Sequence, residues 1–309
     1  MSISYQGSTS DNLEIRVYDL AQLLRSTERS DRKKAWRLFD QAQAIYHSAY
    51  PKPEREPRKT FKYDLKSNAK SLERPDDLSD FCYFVPVVDD QAVGITIFEF
   101  FPYVNAVVVF GSYSAVHEDF RQNGVSRLMF SCFEERIAEY HRRSDLNIQN
   151  MFAEVEQPDG NDNITRNSIL PHLLHKYLGL GGAIVLDDDN VPKILPYFHP
   201  GVIRRSKHYP KIPLVPAFAQ YHKNKPKRIE VEPGTVVVDG VIPDPSRLPK
   251  LDLCDTYNTI KVVLEHYLRF KHVHNPEQVD KIKAKVAKAL EKKRAYLIPL
   301  EDTKGLEFA

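Results

Sequence analysis

Arg121, Gln122, Asn123, Gly124, Val125 and Ser126 stand between a strand-like run and a helix-like one. Upstream, Val107, Val108, Val109 and Phe110 form a β-branched and aromatic run that leads to Val116. Downstream, Val125, Leu128, Met129, Cys132, Phe133 and Ile137 recur at helical spacing as far as His141. A strand, a short glycine-bearing turn and a helix, in that order, aim several backbone N–H groups and the positive end of a helix dipole at one place. An anion binds there without any side-chain charge. Gly124 lets a pyrophosphate reach the backbone with no Cβ in the way. A glycine after a polar pair also simply starts a helix, so the surrounding elements must distinguish the two readings.

Carboxylates form the second group. Glu154 and Glu156 lie in a strand-like run over 151–156 and share one face, while Ala153 and Val155 share the other. A carboxylate on a core-facing strand is expensive to bury, which marks both for function unless that face is solvated. Glu99, in the preceding hairpin, is a third candidate. His172 and His175 have a metal-compatible offset, but neither an HExxH motif nor a cysteine pair accompanies them, so no metal is expected. The lysines and arginine of 281–294 alternate with an apolar stripe and read as a solvated helix face, so no nucleic-acid partner is expected.

The secondary structure around these groups follows from periodicity. A short strand is predicted over 12–20 and helix over 21–48, interrupted near Ser30 and Asp31. The polar stretch 51–77 reads as a variable loop. Strands over 81–88 and 92–101 form a hairpin around Asp89, Asp90 and Gln91, followed by the strand 104–116 and the helix 124–141. Then come a strand over 151–156, a helix over 163–178 and a strand over 183–187. The segments 193–200 and 212–220 each carry proline and read as edge strands. A short strand is predicted over 235–238, and amphipathic helices over 253–270 and 276–294 close the chain.

The segment 121–126 resembles motif A of the GCN5-related N-acetyltransferases, [Gln/Arg]-x-x-Gly-x-[Gly/Ala]. Arg121 and Gly124 match it, and Ser126 stands where the family has glycine or alanine. The order of elements resembles the family's β-α-α-β-β-β-α-β-α-β, and Leu174 to Leu180 occupies the place of its Phe-Tyr-x-x-x-Gly-Phe helix end. The resemblance implies an α/β (α+β) fold with a mixed, mostly antiparallel sheet flanked by helices. It implies an acyltransferase domain over 1–222; the last third departs from the family pattern, and its amphipathic stripes predict a loop and helical extension over 223–309 that packs on the core or on a second copy.

It also implies a chemistry: acetyl transfer from acetyl-CoA, or another acyl-CoA, to a small-molecule or protein amine. The donor's arm lies in this family between two splayed strands, here those ending at Val116 and spanning 151–156. Main-chain groups of Ser114, Ala115 and Val116 would hold it, and the turn from Arg121 through Gln122, Asn123, Gly124, Val125 and Ser126 would take the phosphates. Glu154, Glu156 or Glu99 would accept the amine proton. His175 would protonate the thiolate, with His172 or Tyr177 as alternatives. A longer-chain N-acyl transferase fed by acyl-CoA or an acyl carrier protein, or a non-catalytic acyl-CoA-binding module, would share the same turn.

Composition is compatible with this. Of 309 residues, 42% are hydrophobic, which suffices for a substantial core, and no apolar run approaches membrane-spanning length. The net charge of +2 carries no message about a polyanionic partner. Three separated cysteines and no visible secretory signal lead to the expectation of a cytoplasmic protein with reduced thiols.

Overall fold

The chain divides into two units, Met1–Asn147 and Ile148–Ala309. The computed structural model describes residues 4–8, 14–50, 52–71, 80–103, 106–143, 147–155, 181–188, 191–199, 212–220, 253–268, 276–293, 295–298, 303 and 305–309. Both units are of the α/β class, with antiparallel strands flanked by helices.

In the first unit, β1 (Ser4–Ser8) pairs with β2 (Glu14–Asp19), where Ile15 and Val17 are buried and Glu14 and Arg16 exposed. β3 (Asp80–Val88), β4 (Gln91–Ala92), β5 (Gly94–Tyr103) and β6 (Ala106–Val116) extend the sheet in the order β1-β2-β3-β5-β6, with β4 beside β3. The hairpin after β3 turns at Asp89 and Asp90, whose φ angles are 46° and 62°. Two consecutive left-handed residues match the twist of the flanking strands, and Asp tolerates that region better than most residues.

α1 (Leu20–Arg25) starts where the Asp19 carboxylate accepts from the Ala21 N–H at 2.9 Å. α2 (Arg29–Ala49) follows. The interruption falls at 26–28, ahead of the expected Ser30 and Asp31, because the Ser26 hydroxyl accepts from the Glu28 N–H at 3.2 Å and donates to Asp31 at 2.6 Å. A larger correction concerns 51–77, expected to be loop. A 3-10 turn (Lys52–Glu54) leads there into α3 (Arg58–Ser71). Its inward residues are Phe61, Leu65 and Asn68, and the Asn68 amide donates to the Phe81 carbonyl at 2.6 Å. With a polar residue in the buried stripe, hydropathy alone gives a weak periodic signal.

The helices α1, α2 and α3 cover one sheet face, where Phe39, Tyr46, Phe61, Tyr83, Ile97 and Tyr113 join one core cluster. α4 (Val125–Arg143) covers the other, with Phe133 stacked on Phe98 at 3.9 Å and Tyr140 on Phe100 at 4.9 Å. A β-bulge in the β5–β6 ladder separates these allegiances. Phe98 pairs with Gly111 but Ile97 pairs with Tyr113, leaving Ser112 as the extra residue. Without it, Tyr113 would share the face of Gly111 and Val109 rather than enter the α2–α3 core.

The second unit contains β7 (Asn147–Val155), β8 (Gly181–Asp188), β9 (Val191–Ile194), β10 (Phe198–His199), β11 (Ile212–Pro213), β12 (Val215–Gln220), α5 (Leu253–Tyr267), α6 (Pro276–Lys292) and β13 (Ala295–Ile298). Its strands run β7-β12-β8-β13, with β9 also on β8 and β10 paired to β11. Proline led to an edge expectation for 212–220, yet β12 lies between β7 and β8. Pro216 is tolerated because the ladder with β8 begins only at Ala217. The stripes Ile260, Val263, Leu264, Tyr267 and Val279, Ile282, Val286, Leu290 are all buried, as their spacing predicts. No strand is predicted after α6, but β13 pairs with β8.

Gly94 sits where β3, β5 and β6 crowd together. A Cβ there would lie 2.9 Å from the Ala115 carbonyl oxygen and 2.9 Å from Pro86 Cγ. Gly94→Ala should therefore destabilise the protein by about 1–3 kcal/mol in urea unfolding, since backbone must move to admit the methyl group. An unchanged unfolding midpoint would contradict this packing.

Candidate functional site

The turn into α4 is built as its sequence requires. His117 caps a 3-10 turn, Glu118–Phe120, by accepting from the Asp119 N–H at 3.4 Å, and the chain then bends through 121–124. Gln122 and Gly124 have φ of 67° and 74°, and both are exposed. The first α4 bond runs from the Leu128 N–H to the Gly124 carbonyl at 3.1 Å. The N–H groups of Val125, Ser126 and Arg127 therefore have no acceptor within the helix. The Val125 side chain is buried, which anchors the helix start, and Asn123 and Ser126 are half-buried. The Arg121 Nε donates to the Val116 carbonyl at 3.3 Å, tying the turn to the end of β6. Exposed Glu118 and Asp119 precede the turn and oppose an anion on that side.

At Ser114 the expectation of open main-chain groups needs correction. The Tyr50 hydroxyl accepts from the Ser114 N–H at 2.7 Å and donates to the Ser114 carbonyl at 2.8 Å. Ser114 faces Thr96 in the ladder, so its polar groups point away from β5, where a single hydroxyl satisfies both. Ala115, the next residue, turns its groups toward β5. An extended ligand pairing with this edge of β6 would have to displace Tyr50.

The same region is rich in tyrosine. The Tyr46 ring lies 4.9 Å from Tyr113 and 5.3 Å from Tyr50. The Tyr113 hydroxyl donates to the Glu54 carbonyl at 3.0 Å, and the Tyr46 hydroxyl accepts from the Glu56 N–H at 2.8 Å, so the segment before α3 is held by these rings. Glu99 is buried and its carboxylate accepts from the Ser112 hydroxyl at 2.6 Å. The bulge residue thus gives this candidate base a fixed partner.

Glu154 lies in β7, opposite Pro216. Its Oε1 accepts from the Tyr197 hydroxyl and from the Tyr267 hydroxyl, the latter at 3.0 Å. Tyr197 follows β9 and packs its ring edge-on to Phe152 at 5.5 Å, and Tyr267 ends α5. Burial pushes the Glu154 carboxyl from 4.5 up to about 7, against the opposing pull of the two hydroxyl donors. Burial, and then the carboxylate itself, holds the Tyr197 hydroxyl well above its ordinary value, so it stays a donor at neutral pH.

Glu156, His175, His172 and Tyr177 lie outside the described residues, as do the predicted helix 163–178 and strand 235–238. Among the described residues, no group of three His, Cys, Asp or Glu side chains could hold a metal ion, and no helix is long and apolar enough to cross a membrane. Tyr197 and Tyr267 escaped the sequence reading. Tyr267 carried a usable signal, because a tyrosine on a buried stripe needs a hydrogen-bond partner for its hydroxyl.

No family model matches the chain, and no curated protein does. Solved structures similar to it include the ribosomal-protein-S18-alanine N-acetyltransferase from Escherichia coli, at 13% identity over 68% of this chain and 97% of that one, with a TM-score of 0.33. An acetyltransferase of the GNAT family from Streptococcus pneumoniae matches at 11% identity over 67% and 99%, with a TM-score of 0.35. NAA60 from Arabidopsis thaliana, solved with a bisubstrate analogue, matches at 9% identity over 60% and 92%, with a TM-score of 0.37.

The Glu154 environment has a consequence for stability. Its folded pKa, about 7, lies above the ordinary 4.5, so between these values the folded state holds a proton that the unfolded state has lost. This contribution is full below the ordinary value and is lost as pH rises through the folded one. Glu154→Gln should therefore flatten the dependence of melting temperature on pH between about 4.5 and 7. An unchanged slope would place the carboxylate in an ordinary, hydrated setting.

Proposed function

We propose that this chain is an acyl-CoA-dependent N-acyltransferase that passes an acetyl group to a primary amine by direct attack within a ternary complex. The observation that carries this reading is the exposed left-handed turn at Gln122–Gly124 between β6 and the long helix α4. Its residues fit a pyrophosphate. Gly124 presents backbone without a Cβ, and the N–H groups of Val125 and Ser126 stand at the positive end of the helix dipole. Those amides would hold the donor's phosphates.

Glu154 is proposed to accept a proton from the acceptor's ammonium near neutrality, a role that its carboxyl, raised to about 7, would suit. Loss of that proton frees the nitrogen lone pair to bond to the thioester carbonyl carbon. The carbon–sulfur bond then breaks, the departing thiolate takes a proton from the acid, and the nitrogen's second proton replaces it on that acid as the amide forms. His175 is proposed as that acid. Glu99, already engaged by Ser112, is proposed to brace the bulge.

Gly124→Asp should lower acetyl-CoA affinity more than about tenfold, or ~1.4 kcal/mol, in calorimetric titration, with the fold intact. Glu154→Gln should lower kcat by roughly 10² to 10⁴ and leave donor affinity unchanged. Wild-type affinity in the first variant would remove the phosphate site from the turn. Full turnover in the second would remove Glu154 from the chemistry.

A further inference from the structure

The carboxylate of Glu154 is held from two remote places in the sequence. Tyr197 and Tyr267, respectively 43 and 113 residues further along, both donate to Oε1. Tyr267 belongs to α5, within the part of the chain that the sequence reading treats as an extension. A helix serving only to cover a core would present leucine or phenylalanine at this position, as it does with Ile260, Val263 and Leu264. A hydroxyl aimed at one carboxylate oxygen fixes the rotamer of the acid, and two such hydroxyls on the same oxygen fix it from two directions.

We propose that Tyr267 is a positioning residue for Glu154, so that the C-terminal helix α5 is part of the apparatus that orients the proton-accepting group and not only of the core. The role rests on the reading of Glu154 as the acceptor of the amine proton. Titratable side chains facing the carboxylate include Tyr197 and Tyr267, and the His266 ring centre lies 6.2 Å from that of Tyr267. Each donated hydrogen bond stabilises the ionised carboxylate, so removing one raises the pH at which Glu154 takes up its proton. A purely structural tyrosine would change stability without moving that titration.

The test uses the full chain labelled with carboxyl-13C glutamate, with the Glu154 resonance identified by its loss in Glu154→Gln. In Tyr267→Phe the Glu154 midpoint should move up by about half a unit or more. The acidic limb of the kcat/KM profile for amine acylation should move by the same amount, with the KM for acetyl-CoA unchanged. Tyr197→Phe, which removes the other donor, should move both in the same direction and supplies the reading if Tyr267→Phe does not fold. An unmoved midpoint in an active enzyme overturns the positioning role and leaves the acyltransferase reading standing. A moved midpoint in a protein that acylates no amine retains the coupling but overturns the acyltransferase reading, and with it the catalytic meaning of Tyr267.

Discussion

Enclosing the carboxylate end of Glu154, a residue half-buried as a whole, constrains much of the second unit. An ionised carboxylate taken out of water costs several kcal/mol unless donors replace its hydration. Here they come from the segment after β9 and from the end of α5, so a single side chain on β7 ties together elements far apart in sequence. Tyr197 is itself buried, so its contact with Glu154 also satisfies a hydroxyl that water does not reach. The raised proton affinity of Glu154 is what this incomplete compensation leaves.

In the first unit the comparable constraint is one extra residue. The bulge at Ser112 turns Tyr113 into the α2–α3 core, where it packs on Tyr46 and Tyr50. Tyr50 in turn reaches the main chain of Ser114 on the edge of β6 that faces away from β5. The slip in register thereby links the segment preceding α3 to the strand that delivers the chain into the 121–124 turn. A donor using that strand edge would exchange one pair of hydrogen bonds for another rather than find unpaired groups, which favours displacement over simple addition.

Several of these features were legible in the sequence because they are local. The turn at Gly124, the hairpin at Asp89 and Asp90, and the stripe of α6 each depend on residues within a few positions of one another. α3 was not legible because Asn68 interrupts its apolar face and its lysines reach over rings, Lys62 lying 5.5 Å from the Trp36 ring centre. β13 is four residues long and its stability derives from the ladder with β8, which no local pattern reveals. A carboxylate at position 154 stands out in the sequence by its place on a strand. Its tyrosine partners came only with the fold, since no spacing rule connects residues so distant.

The proposed phosphate site for coenzyme A consists of the left-handed turn and the first turn of α4. Hydrogen exchange of the full chain with and without coenzyme A reads those amides directly. Slowed exchange is expected in peptides spanning 114–128, with the largest change over 122–127, where backbone N–H groups would pass from water to phosphate. Unchanged exchange across 114–128 at saturating coenzyme A would contradict the account, whatever changed elsewhere.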